Sequence, residues 1–301
     1  MDDFPIVDPH HHLWDLERFS YPWLSARPLP SSVAGDVAPI AKSYQLDDYL
    51  ADSANQNVVK SVHVDAGFDP SQPAEETRWL QSIADQRGFP HGVVARAELH
   101  RPDVESTLAA HCRFPNVRGI RHIVNWHPDP AKTYVTKPDF LTDSAWLRGF
   151  ARLKRYDLSF DLQLYPPQMA DAAALAAAHG DTSIILNHAG MPVDRDADAL
   201  SLWRAGMRAL AAQPNVWVKI SGLGMVDWRW TEDSIRPFVL EIIEIFEPDR
   251  CMFASNFPVD SVCGSLDAIF GGYKTITAGF SAAERKKMFH DNAIGFYAIG
   301  A

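Results

Sequence analysis

Short apolar runs recur eight times along the 301-residue chain, and each ends in polar or turn-forming residues. They span residues 6–12, 61–67, 92–99, 117–124, 158–164, 183–190, 215–221 and 251–256. Their length and β-branched content read each as a strand. Helical patterns lie between them, over 73–88, 166–180, 199–213 and 231–248. In the third, Leu200, Trp203, Met207, Leu210 and Ala211 fall on one face. Thr231 reads as an N-cap, and Ser281 with Glu284 as a capping box. Strands alternating with helices predict a parallel α/β fold. Eight repeats in about 300 residues fit one (β/α)8 TIM barrel better than a doubly wound sheet. Neither glycine-rich phosphate motif of doubly wound folds occurs. No linker divides the chain, so a single domain over 1–301 is expected, with loop excursions near 16–45 and 125–142. Both follow strands and belong at the C-terminal face, where barrels place their sites.

Composition narrows the function classes. The chain is 47% hydrophobic and 22% charged, enough apolar material for a large core. Lys and Arg number 28 against 38 Asp and Glu, a net charge of −10. With no basic block, neither nucleic acid nor an anionic membrane is an expected partner, and a small-molecule substrate is. There is no apolar run long enough to cross a bilayer. The opening residues lack the basic and apolar regions of a secretory signal, so a cytoplasmic location is expected. Cys112, Cys251 and Cys263 are too few and too scattered for a disulfide framework and are read as free buried thiols. Oligomeric state is not written in the sequence.

The residues that could carry chemistry sit at strand ends. His10 and His12 share one face of the first strand, and His11 takes the other. His188 ends the sixth strand. Three neutral imidazoles could hold a divalent ion or hydrogen-bond a carbonyl. Arg121 and His122 end the fourth strand, and only one of the two can point inward. A guanidinium there suits a carboxylate or a polarised carbonyl. Gln163 and Tyr165 end the fifth strand, and Lys219 and Ser221 share a face of the seventh. Lys219 is either an inward functional group or a paired core charge. Asn256 is the amide at the tip of the eighth, and Asp260 follows in the loop. Asp8, Asp65, Glu98 and Asp161 are further acids at strand ends or inner faces, and His127 lies in the 125–142 loop.

Together DPHHHLWD, ETRWLQ, RGIRH, ILNHAGMP, VWVKISGLG and MFASNFPVD resemble the amidohydrolase superfamily. More narrowly, they resemble the amidohydrolase-2 group, which holds 2-pyrone-4,6-dicarboxylate lactonase and the sugar lactonases. The resemblance runs from the first strand to FHDNAIGFY near the end. It implies a barrel hydrolase that opens a small polar or carboxylated lactone by water attack on the carbonyl. It implies that His10, His12 and His188 are catalytic, and that Arg121 orients the substrate. His122, Tyr165 and Lys219 join Arg121 as candidate substrate-binding residues.

Two departures from the family pattern matter. Strands four and five lack the lysine and histidine of the two-metal members, so a binuclear centre is not expected. The aspartate that deprotonates water at the end of strand eight falls at Asn256, and a neutral amide cannot accept that proton. Asp260 or His188 would have to substitute. Alternatively, one divalent metal, zinc or manganese on His10, His12 and His188, would acidify the water itself. The expectation is therefore no required cofactor, or one such ion. Two other readings of the same barrel remain: a mononuclear metal-dependent decarboxylase or amide hydrolase, and a non-catalytic binding barrel.

Overall fold

The computed structural model describes residues 4–300, so the expectations for residues 1–3 and 301 lie outside the described residues. All eight expected strands form. They are β1 (Ile6–His11), β2 (Val58–Val64), β3 (Gly92–Arg96), β4 (Val117–Arg121), β5 (Ser159–Leu162), β6 (Ile184–Leu186), β7 (Val216–Ile220) and β8 (Cys251–Phe253). They make one sheet in sequence order, every neighbouring pair parallel. The chain after β8 returns to β1: His11 bridges to Phe257, His12 N–H donates to the Phe257 carbonyl at 2.7 Å, and Asn256 N–H donates to the His10 carbonyl at 2.8 Å. The result is a (β/α)8 TIM barrel.

Helices surround it. The first half of the chain supplies α1 (Pro22–Ser25), α2 (Leu46–Asp52), α3 (Glu75–Arg87), α4 (Val104–His111) and α5 (Ser144–Phe150). The second half supplies α6 (Met169–Ala178), α7 (Ala197–Ala211), α8 (Glu232–Phe246), α9 (Leu266–Ile276), α10 (Ala282–Lys286) and α11 (Asn292–Phe296). Local signals set several boundaries. Gly88 stops α3 in the left-handed conformation, φ +78°, and Thr231 and Ser281 make the expected N-terminal caps. On α7, Trp203, Met207 and Leu210 are buried, while Leu200 and Ala211 at the edge of the stripe are half-buried.

Two apolar clusters divide the work. The larger fills the space between strands and helices. The smaller, with Val7, Val62, Val64, Val94, Ile185 and Met252 from five strands, includes Ala293, Tyr297 and Ile299 from the closing segment. Side chains from so many strands meet only inside the barrel, so this cluster plugs its lower end. The three thiols are free, but only Cys251 is buried: Cys112 is exposed and Cys263 half-buried, which corrects the expectation for those two. Among the described residues, no helix is long and apolar enough to cross a membrane.

Candidate active site

Strand alternation separates the histidines of β1. His11 faces outward, stacked on Tyr49 of α2 with ring centroids 4.1 Å apart, its Nε2 2.9 Å from Ser61 Oγ. His10 and His12 face the barrel mouth, with ring centroids 5.0 Å apart. The His188 ring lies 4.5 Å from that of His10. His188 and Asn256 both carry left-handed backbones, φ +54° and +55°, and such strain collects at functional sites. The room for His188 depends on Gly222, where a Cβ would come within 2.8 Å of His188 Nδ1. His188 Nδ1 is 3.1 Å from Ser221 Oγ.

Arg121 supplies the positive charge of this mouth. Its Nε donates to Asp65 Oδ2 at 3.1 Å and one Nη to Gln163 Oε1 at 3.0 Å. The other Nη donates to the Asp65 carbonyl. A guanidinium has five N–H donors, so two remain for a ligand. Burial pushes Asp65 up, but the guanidiniums of Arg121 and Arg96 outweigh it and hold the carboxyl below its usual range. Burial first, and then nearby cations, push His10, His12 and His188 well below the ordinary imidazole value, so all three are neutral at pH 7.

His12 is the most constrained of the three. Its Nδ1 lies 2.7 Å from the Val64 carbonyl, which can only accept, so the proton of the neutral ring sits there. Its Nε2 is then a lone pair, 3.3 Å from Asn256 Oδ1. Asn256 Nδ2 in turn donates to Asp260 Oδ1 at 2.7 Å. Asp260 is buried behind the amide, not at the mouth. The 3-10 turn Val259–Val262 folds it back, and its N–H donates to the Asn256 carbonyl at 3.1 Å. Burial raises its carboxyl to about 7, against the lowering pull of Asn256.

Other expected site residues lie elsewhere. His122 is not at the mouth: its Nδ1 accepts from Trp146 Nε1 at 2.9 Å and Leu99 N–H at 3.2 Å, between the barrel and α5. Alternation after Arg121 turns it outward, which removes it as a substrate-binding residue. Tyr165 uses its hydroxyl on the Lys132 carbonyl at 2.6 Å and so pins the 125–142 loop. Lys219 is fully buried below His10 and does not reach a substrate. Its Nζ contacts Asp161 Oδ2 at 2.5 Å and His10 Nδ1 at 3.3 Å. Asp8 faces Tyr49 and Ser255, Glu98 pairs with Arg96, and His127 Nε2 contacts Asp194 in the loop. None of these acids is placed to take a proton at the mouth.

Two residues escaped the sequence reading. Asn187 is fully buried, with no hydrogen-bond partner on either amide atom among the described residues, and Asn125 is fully buried with its Oδ1 unpartnered. Asn187 lies two residues after inward-facing Ile185, on the same face. His10 Nε2 is likewise buried and unpartnered. Buried polar atoms left this way mark where a ligand or water completes the bonding.

A divalent ion at the mouth would draw on the same three imidazoles. Neutral imidazoles are suitable ligands, but the cations Lys219 and Arg121 both act on this cluster and would oppose a dication. Among the described residues, no three His, Cys, Asp or Glu side chains are gathered so as to hold a metal. The residues as arranged do not fit a resident metal.

The sequence profile of the amidohydrolase family matches residues 7–299. An uncharacterized protein, y4mH, of Sinorhizobium fredii is 52% identical over 99% of this chain and 100% of its own length. An L-fucono-1,5-lactonase of Burkholderia multivorans is 30% identical over 97% of this chain and 96% of its own. An amidohydrolase crystal structure from Burkholderia multivorans, with bound zinc, superposes with a TM-score of 0.82 at 28% identity, covering 99% of this chain and 100% of that one.

Proposed function

The chain belongs to the amidohydrolase family, and on that premise we propose that it opens a small, hydroxylated lactone by attack of water on the ring carbonyl. The observation that carries this reading is the convergence of His10, His12, His188 and Arg121 on one barrel mouth, beside buried amides with unmet hydrogen bonds. Lactone hydrolysis in general is supported by the lactonase relative. The hydroxylated substrate is argued from charge. Of the two cations beside the histidines only Arg121 reaches the mouth, and Asp65 already pairs with it, so they offer a dicarboxylate one anchor rather than two. The amides of Asn125 and Asn187 can both donate to and accept from hydroxyl groups.

His12 acts as the general base. Its Nε2 lone pair takes a proton from water as the water oxygen bonds to the carbonyl carbon. Before that transfer, Nε2 and Asn256 Oδ1 are two acceptors facing each other across 3.3 Å. Afterwards Nε2–H donates to Asn256 Oδ1, and ionised Asp260 supports the imidazolium through the amide. The bond exists only once the proton has moved, so it lowers the barrier rather than merely binding substrate. His10 and the two remaining N–H groups of Arg121 hold the carbonyl oxygen as its negative charge develops. The tetrahedral intermediate collapses, the ring C–O bond breaks, and the leaving alkoxide takes the proton from His12. Water and lactone become one hydroxy acid. Asn256 therefore replaces the expected carboxylate as a link, with Asp260 one residue deeper.

The test is acid release from a panel of aldonolactones and pyrone carboxylates, with and without chelator. Turnover of a hydroxylated aldonolactone that survives chelation is expected. Silence across the panel overturns the proposal, and turnover only with added zinc or manganese overturns the metal-free account of the site.

A further inference from the structure

A line of hydrogen bonds runs up the barrel interior to His10, and its members are fully buried or nearly so. Tyr297, just after α11, donates its hydroxyl to both Asp161 oxygens, at 3.0 and 3.1 Å. Asp161 on β5 holds Lys219 of β7 at 2.5 Å, and Lys219 Nζ reaches His10 Nδ1 on β1 at 3.3 Å. Asp161 and Lys219 are both 0% exposed, and Tyr297 is 1% exposed. The ammonium also stands 5.2 Å over the Tyr297 ring. A buried ion pair contributes little to stability compared with well-packed apolar residues. Plugging the lower barrel does not require this pair, because the apolar cluster there already does so.

We propose that Lys219 is a positioning residue that fixes the tautomer of His10. An ammonium has three donors and no acceptor. Its contact with Nδ1 is a hydrogen bond only if Nδ1 carries the lone pair, which places the imidazole proton on Nε2. Nε2 is the buried, unpartnered atom of His10. The column thus turns His10 into an N–H donor aimed into the mouth, opposite in sense to His12, whose Val64 contact leaves Nε2 an acceptor. One strand presents two histidines of complementary polarity: His10 gives a hydrogen bond to the carbonyl oxygen, and His12 receives a proton from water. Asp161 keeps the ammonium charged, and Tyr297 orients Asp161. The assignment of chemistry rests on the lactonase reading; the tautomer does not.

The experiment is nitrogen-15 and proton NMR of the full-length protein labelled at histidine, at pH 7 without substrate. His10 resonances are assigned by their loss in His10→Gln. The expected wild-type spectrum has His10 protonated at Nε2 and unprotonated at Nδ1, and His12 the reverse. In Lys219→Met, the His10 proton should move wholly or partly to Nδ1, and kcat on any lactone turned over should fall about 100-fold, the scale of one lost oxyanion donor. A wild-type His10 protonated at Nδ1 overturns the proposal, and so does an unchanged tautomer in folded Lys219→Met. The wild-type spectrum can still overturn the proposal even if that variant does not fold. A correct tautomer pair in a protein that hydrolyses no lactone would leave this inference standing and remove the functional one.

Discussion

At the lower end of the barrel, Val7, Val62, Val64, Val94, Ile185 and Met252 pack against Ala293, Tyr297 and Ile299. At the upper end, a few residues along the same strands and the turns that follow them, His10 Nε2, Asn125 Oδ1 and both amide atoms of Asn187 are buried without partners among the described residues. The period-two alternation that sends Val7 and Ile185 inward also sends Asn187 inward. Only residue type changes with height. Apolar groups at the bottom satisfy one another by contact. Those few polar atoms at the top are satisfied only by something that comes and goes. Between the two lies the Asp161–Lys219 pair, which belongs to neither.

The contrast breaks most sharply at the top. His12→Asn should lower kcat/KM about 1,000-fold, within the range for a lost general base, while leaving the melting temperature close to wild type. Steady-state kinetics beside calorimetry checks this. Near-normal turnover would remove His12 as the base.

The opposite signature is expected at the bottom. Met252→Ala should cost about 2–5 kcal/mol of stability through the cavity it leaves. KM should move little, since the Met252 side chain packs in the apolar cluster, whose link to His12 runs through the Val64 backbone carbonyl rather than through a side chain. Urea unfolding and kinetics on the same preparation give both numbers. A rise in KM with intact stability would show that the two ends are not independent.

Much of this division was legible before the structure. Strand positions followed from eight apolar runs, because a strand buried on both faces needs an unbroken one. His10 and His12 followed from alternation. Other features needed three dimensions. Arg121 and His122 are adjacent, and only the phase of β4 decides which enters the barrel. Lys219 reads equally well as a core charge, because its partner Asp161 is 58 residues away. A loop position four residues after Asn256 does not show in sequence whether Asp260 reaches the site, and it is the left-handed turn at Asn256 and the 3-10 turn after it that bring the two side chains within 2.7 Å. Asn187 gave no signal, since a strand-end asparagine is an ordinary turn residue. Its meaning lies in its missing partners.

A smaller effect sharpens the role of Asp260. Its folded value of about 7 lies above the 3.8 of a free aspartate, so the folded protein binds this proton more tightly than the unfolded chain. That group therefore contributes stability at low pH, lost as pH rises from about 4 through 7. Asp260→Asn should flatten this slope in urea titrations across that window. Because the ionised carboxylate supports His12, wild-type kcat/KM should rise through pH 7, and the variant should lack that limb. A variant with the wild-type profile would assign the limb to another group.

The last effect is the smallest and tests whether the unpaired amides are kept for binding. Leaving a buried polar group unpaired costs about 1–3 kcal/mol, and water in the mouth recovers part of it. Asn187→Leu replaces two such atoms with a side chain of similar size in a place where inward Ile185 already sits below. If the amide served the fold, the variant would be less stable. If it serves the substrate, the variant should gain about 1 kcal/mol and lose affinity, the trade expected where activity keeps a site off its stability optimum. Thermal melts paired with KM for the best lactone separate these cases. A gain in stability with a higher KM means that the upper barrel gives up packing for recognition, whereas a loss of stability with unchanged KM returns Asn187 to the core.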